Sequence, residues 1–149
     1  MTKLSEHFSD WELISPDLLD AIRLAQVPPK WYVKQVYLDA LEDIRIKFGK
    51  SMFINVNERM AKRYGFNEPM FRRGICTDKE CIDAGRKITT QHRIGAFDIT
   101  ILDVRPREIA EYVEQIKDEY KIGGLGVYES SNFIHIDWRN STELIKWEY

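Results

Sequence analysis

Cysteine is nearly absent from this 149-residue chain, which carries only Cys76 and Cys81. Two cysteines cannot make a disulfide framework, so the fold must rest on its core. Histidine is almost as scarce, and any site built on imidazole must draw on His7, His92 or His135. Neither sign of charge is in excess: 22 Lys+Arg against 24 Asp+Glu leave −2, which does not favour nucleic acid as a partner. No apolar run approaches the roughly 20 residues that span a bilayer, so no membrane insertion is expected. The first ten residues lack the apolar stretch of a signal peptide, and the expectation is a protein that is cytoplasmic as made. What is present is core material, 44% hydrophobic and 12% aromatic. A chain of this length buries roughly 70% of its unfolded surface, enough for a single domain over residues 1–149.

The first half reads as helical. Leu18, Leu19, Ile22 and Ala25 follow Ser15-Pro16 at helical spacing, and Pro28-Pro29 ends the pattern. Over residues 31–48, Val33, Val36, Tyr37, Ala40, Leu41, Ile44 and Phe48 mark one face of a core helix, which Gly49 caps. Residues 52–57 read as a short strand, and residues 60–91 as a long irregular excursion without a clean period. A second strand is expected over 96–102 and a second amphipathic helix over 106–121. Residues 124–128 and 132–138 read as a hairpin joined by Glu129-Ser-Ser131, and Ser141-Thr-Glu-Leu as the start of a short terminal helix. Together these predict an α+β domain with an antiparallel sheet packed against helices.

Strand alternation sorts the chemistry. Phe97, Ile99 and Ile101 make a core face, which turns Asp98 the other way. Ile134, Ile136 and Trp138 make the better core face of the last strand, so His135 and Asp137 emerge together on the opposite side. His92 precedes Asp98 across a turn at Gly95. Two imidazoles and a carboxylate converging on one sheet face form the ligand set of a hydrolytic zinc site, with three protein ligands and an open fourth position. Taken singly, each has a plainer reading, since a lone strand histidine is more often a satisfied structural residue. Cys76 and Cys81 lack a fourth ligand for a structural metal site with His92.

Two segments carry a resemblance. Thr90-Gln-His-Arg-Ile-Gly-Ala-Phe-Asp98 resembles the Ser-x-His-x-x-Gly-x-Ala-x-Asp motif of the zinc D-alanyl-D-alanine carboxypeptidases and phage endolysin peptidases, which share a fold with the hedgehog signalling domain. Gly123-Gly-Leu-Gly-Val-Tyr128 with Phe133-Ile-His-Ile-Asp137 resembles the closing elements of that family. Leu4-Ser-Glu-His-Phe-Ser-Asp-Trp-Glu-Leu and Phe53-Ile-Asn-Val-Asn-Glu-Arg59 extend the similarity almost end to end.

The resemblance implies a hedgehog/D-Ala-D-Ala peptidase-like fold and Zn2+ held by His92, Asp98 and His135. It implies hydrolysis of peptidoglycan stem peptides, as carboxypeptidase or endopeptidase, after release to the cell wall or as part of a phage virion. Arg59 falls where the family arginine binds the substrate carboxylate or steadies the oxyanion. The chain departs from the pattern in three places. His92 to Asp98 is a step of six residues where the motif has seven; Asn132 stands where many relatives carry a general-base carboxylate; Met60-Ala-Lys replaces Ser-Pro after Arg59. The base is therefore open: Asp137 is the first candidate, with a role orienting His135 as its alternative, and Glu129 is the second. The same departures keep a non-catalytic zinc-binding or cell-wall-binding module as the competing expectation.

Overall fold

A computed structural model describes residues 2–14, 16–55, 82 and 95–149. Among them run α1 (Asp10–Leu13), α2 (Pro16–Leu24), a 3-10 turn (Pro29–Tyr32), α3 (Gln35–Phe48), β1 (Met52–Ile54), β2 (Ala96–Ile101), α4 (Pro106–Tyr120), β3 (Gly124–Tyr128), a second 3-10 turn (Glu129–Ser131), β4 (Phe133–Asp137) and β5 (Ile145–Glu148). Five strands form one sheet in the order β1-β2-β4-β3-β5. The expected α+β domain is there, with one correction: the sheet is mixed. β1–β2, β2–β4 and β3–β4 are antiparallel, whereas β5 lies parallel to β3. β5 also replaces the terminal helix expected after Ser141. The Ile145–Glu148 segment takes the edge of β3 not paired with β4, with Gly126 opposite Trp147.

Local chemistry sets the helix ends. Ser9 N–H donates to the Glu12 carboxylate at 2.8 Å, which ties the first turn of α1 to its cap. α3 stops at Gly49, whose φ of 62° is left-handed and suits a residue without Cβ. α4 opens on Pro106, and the Glu108 carboxylate takes the Arg105 N–H at 3.1 Å. α3 begins later than its apolar spacing predicts. Trp31 and Tyr32 sit in the 3-10 turn, and Trp31 is 78% exposed, because Pro28-Pro29 impose a separate turn before Gln35.

The core lies between the helices and one face of the sheet. Leu38, Leu41 and Ile44 of α3 and Ile109 and Val113 of α4 meet Phe97, Ile99, Ile134 and Ile136 there. Phe97 stands edge-on to Tyr37 and to Trp138, with ring centroids 6.1 and 5.9 Å apart. Trp138 is thus partly buried against the core, with its indole N–H donated to the Tyr120 carbonyl at 2.7 Å. Strand alternation leaves Asp98, Thr100, His135, Asp137, Gly124 and Gly126 on the other face.

Candidate metal centre

The register places Asp98 directly opposite His135 on adjacent strands. Their side chains meet, with Asp98 Oδ1 3.0 Å from Nδ1 of His135. The other ring nitrogen, Nε2, lies 2.9 Å from Asp137 Oδ2. His135 is thus an imidazole between two carboxylates, and it is buried. Burial alone would lower its pKa, but hydrogen bonds to Asp137 and Asp98 outweigh this and push it up to about 9. Asp137 is 1% exposed, and burial alone would raise its pKa. Hydrogen bonds from Arg139 and His135 prevail and hold the carboxyl well below the usual range.

Asp98 is braced from behind. Asn55, buried at the end of β1 with φ of 62°, accepts the Asp98 N–H on its side-chain oxygen at 3.0 Å. Its own N–H donates to the Asp98 carbonyl, and its amide nitrogen donates to the Glu12 carbonyl at 3.0 Å. One side chain thereby ties α1, β1 and β2 together beneath the candidate ligand.

The floor beside His135 is β3, and its glycines are a spatial requirement. A Cβ at Gly124 would stand 2.5 Å from Asp137 Oδ1, and one at Gly126 would strike the Trp147 indole nitrogen. Trp147 lies against the His135 ring, centroids 5.4 Å apart, and donates its indole N–H to the Tyr128 hydroxyl at 2.9 Å. Tyr128 stacks between Phe133 and Tyr149, so the face continues as an aromatic shelf toward the hairpin.

The expected residues fall into three groups. Asp98, His135 and Asp137 are brought together. Glu129 lies elsewhere: its Oε1 is 3.6 Å from Arg107 in the first turn of α4, an ion-pair distance too long for a hydrogen bond, and that buried oxygen has no hydrogen-bond partner among the described residues. His92, Arg59, Cys76 and Cys81 lie outside the described residues. Asn132 has a backbone reason to be asparagine: it closes the hairpin with φ of 57°, a left-handed conformation that Asn tolerates, and its carbonyl accepts the Thr100 hydroxyl at 3.0 Å. His7 hydrogen-bonds Glu42 at 2.6 Å and fastens the N-terminal segment to α3. Asn55, Arg139 and Trp147 were not anticipated. Arg139 had a signal, since it continues the alternation of His135 and Asp137 by two residues.

The donor chemistry fits a cation. With its raised pKa, metal-free His135 carries a proton on each ring nitrogen and donates to both carboxylates; a metal ion on Nδ1 would take the place of the proton between the ring and Asp98. Ligand atoms at 2.0–2.2 Å on a tetrahedral zinc stand about 3.4 Å apart, a few tenths more than the separation seen. Among the described residues, no three His, Cys, Asp or Glu side chains form a complete metal-binding group. None of their helices is long and apolar enough to cross a membrane. No family model, curated protein or solved structure matches the chain.

Proposed function

We propose that this chain is a zinc-dependent peptidase of the hedgehog/D-Ala-D-Ala peptidase type, acting on peptidoglycan stem peptides. The observation that carries the reading is the Asp98–His135 pair: two ligand types on facing register positions, 3.0 Å apart, with Asp137 on the remaining ring nitrogen. Such a carboxylate–histidine arrangement fixes the ring and leaves one nitrogen for a metal. Asp98 and His135 would hold Zn2+, with His92 as third ligand from the motif. When bound, the ion supplies Lewis acidity to a carbonyl and brings the pKa of water to about 7. The residues of this chain orient the ligands, and the aromatic shelf of Phe133, Tyr128 and Tyr149 offers a wall for substrate. The stem peptide as substrate, and the phage or cell-wall setting, rest on the motif resemblance.

A second reading is favoured by one observation. Asp137 is committed to His135 and Arg139, Glu129 pairs with Arg107, and Asn132 carries no carboxylate. A module that binds zinc or cell wall without cleaving it accounts for that engagement. The test is metal content of protein purified without added zinc, for wild type, His92→Ala, Asp98→Ala and His135→Ala, followed by amine release from purified peptidoglycan. One zinc per chain, lost in the variants, together with turnover by wild type, is the outcome expected of the peptidase. Zinc without turnover selects the binding module, and a wild type that takes up no zinc rejects the metal centre.

A further inference from the structure

The group best placed to control His135 is an arginine. Asp137 accepts four hydrogen bonds among the described residues. Arg139 supplies three of them: its backbone N–H at 3.1 Å and Nε at 2.8 Å to Oδ1, and Nη2 at 2.6 Å to Oδ2. The fourth contact is Nε2 of His135, on Oδ2. A carboxylate has about four lone-pair sites, so the set is full. A planar guanidinium that takes both oxygens fixes the carboxylate in plane as well as in place.

Arg139 is itself held. Its guanidinium carbon lies 4.8 Å from the centroid of the Trp147 ring, and Trp147 in turn lies against His135. The absence of side chains at Gly124 and Gly126 makes room for this layer. Arg139, Asp137, His135 and Trp147 therefore close a ring of contacts over β3, with one member contributed by the C-terminal strand.

We infer that Arg139 is a positioning residue: clamped by Trp147 over the glycine floor of β3, it locks Asp137 onto Nε2 of His135 and so dedicates Nδ1 to the side of Asp98. With the metal centre proposed above, on which this last step rests, Nδ1 is the zinc ligand. The arrangement also gives Asp137 the orienting role and leaves it no lone pair for general-base work.

The test uses the full chain as wild type, Arg139→Ala and Arg139→Lys, each checked for its thermal transition. Zn2+ affinity is measured by competition with a chromophoric chelator, and the His135 ring nitrogens are read by long-range 15N NMR. Arg139→Ala is expected to fold and to bind Zn2+ some 10–100-fold more weakly, the usual effect of losing an outer-shell partner. Lysine should restore part of that affinity, since it returns the charge without the fork. In metal-free wild type, His135 should show a slowly exchanging Nε2–H signal that broadens or vanishes in Arg139→Ala. Unchanged zinc affinity in Arg139→Ala, or an unchanged Nε2–H signal, overturns the assignment. Should Arg139→Ala fail to fold, Arg139→Lys carries both readouts, with an intermediate loss expected and wild-type behaviour overturning. A wild type that takes up no Zn2+ rejects the metal centre, while the metal-free His135 signal still decides whether Arg139 holds Asp137.

Discussion

The two faces of the sheet are made from alternate residues of the same strands, yet they are held together by different physics. On the inner face, Phe97, Ile99, Leu125, Ile134 and Ile136 are almost fully buried and interlock with the helices through non-directional packing. On the outer face, Asp98, Thr100, His135 and Asp137 are held by directed hydrogen bonds, and two glycines replace bulk with clearance. Stability should follow the first face and chemistry the second. Because the alternation has period two, neighbouring residues answer to different rules.

Adjacent residues of β2 give the sharpest way to break that contrast. Phe97 is fully buried, edge-on to the contacting rings of Tyr37 and Trp138, and Phe97→Ala should cost about 3–5 kcal/mol by lost transfer energy and cavity formation. Asp98→Ala, one residue along, should cost less, about 1–2 kcal/mol, because buried His135 loses one of its two carboxylates but keeps its bond to Asp137. Zinc uptake should be lost in Asp98→Ala. Urea unfolding and metal content, measured on both variants, check the pair; an Asp98 variant as unstable as the Phe97 variant would erase the distinction between the faces.

Gly126→Ala tests clearance rather than packing. The added Cβ meets the Trp147 indole, and relieving that overlap should cost about 1–3 kcal/mol. The cost should disappear in a Trp147→Ala background, where nothing stands in the way. A double-mutant cycle by chemical denaturation reads this directly, and additive losses would place the strain elsewhere.

Alternation made the inner face legible in the sequence, and it put Asp98, His135 and Asp137 together on the outer one. It misjudged β5 because Ile145-Lys-Trp-Glu is short and mostly exposed, and its position depends on the edge of β3 left open by β4 rather than on its own pattern. Trp147 was invisible for the same reason; its local trace is the missing side chain at Gly126. Asn55 reads as a strand residue until the left-handed turn and the bond to Asp98 are seen. Trp31 fits a helical period by spacing alone, but the preceding prolines remove it from the helix.

Polar clusters on the helical layer extend the comparison, with smaller effects. Ser5 donates to Glu42 at 2.6 Å and the His7 N–H at 2.8 Å, fastening the N-terminal segment. Burial alone would raise the Glu42 pKa, but these partners outweigh it and lower the value. A depressed carboxyl pKa means stability present above its unfolded value of 4.5 and lost as pH falls through the folded one. Glu42→Gln should cost about 1 kcal/mol at neutral pH by weakening charge-assisted bonds. Its deficit should shrink in acid, and unfolding curves at pH 7 and pH 3 check this; a deficit independent of pH would contradict it.

The smallest expected effect lies at Asp43, whose carboxylate takes the hydroxyls of both Tyr112 and Tyr120 between α3 and α4. The bond to Asp43, with burial, pushes Tyr112 up to about 12, and burial with the same carboxylate raises Tyr120 as well. A phenol with a raised pKa contributes stability below its unfolded value of 10, and loses it as pH climbs through the folded value. Tyr112 and Tyr120 should therefore ionise late in an absorbance titration at 295 nm, and Asp43→Ala should bring both back toward 10. Zinc uptake should not change in that variant, because the cluster lies on the helical layer, away from the outer sheet face. A wild type in which no tyrosine ionises late would remove the Asp43 bridge. Altered zinc binding in Asp43→Ala would instead show that the helical layer and the outer face are coupled through the core between them.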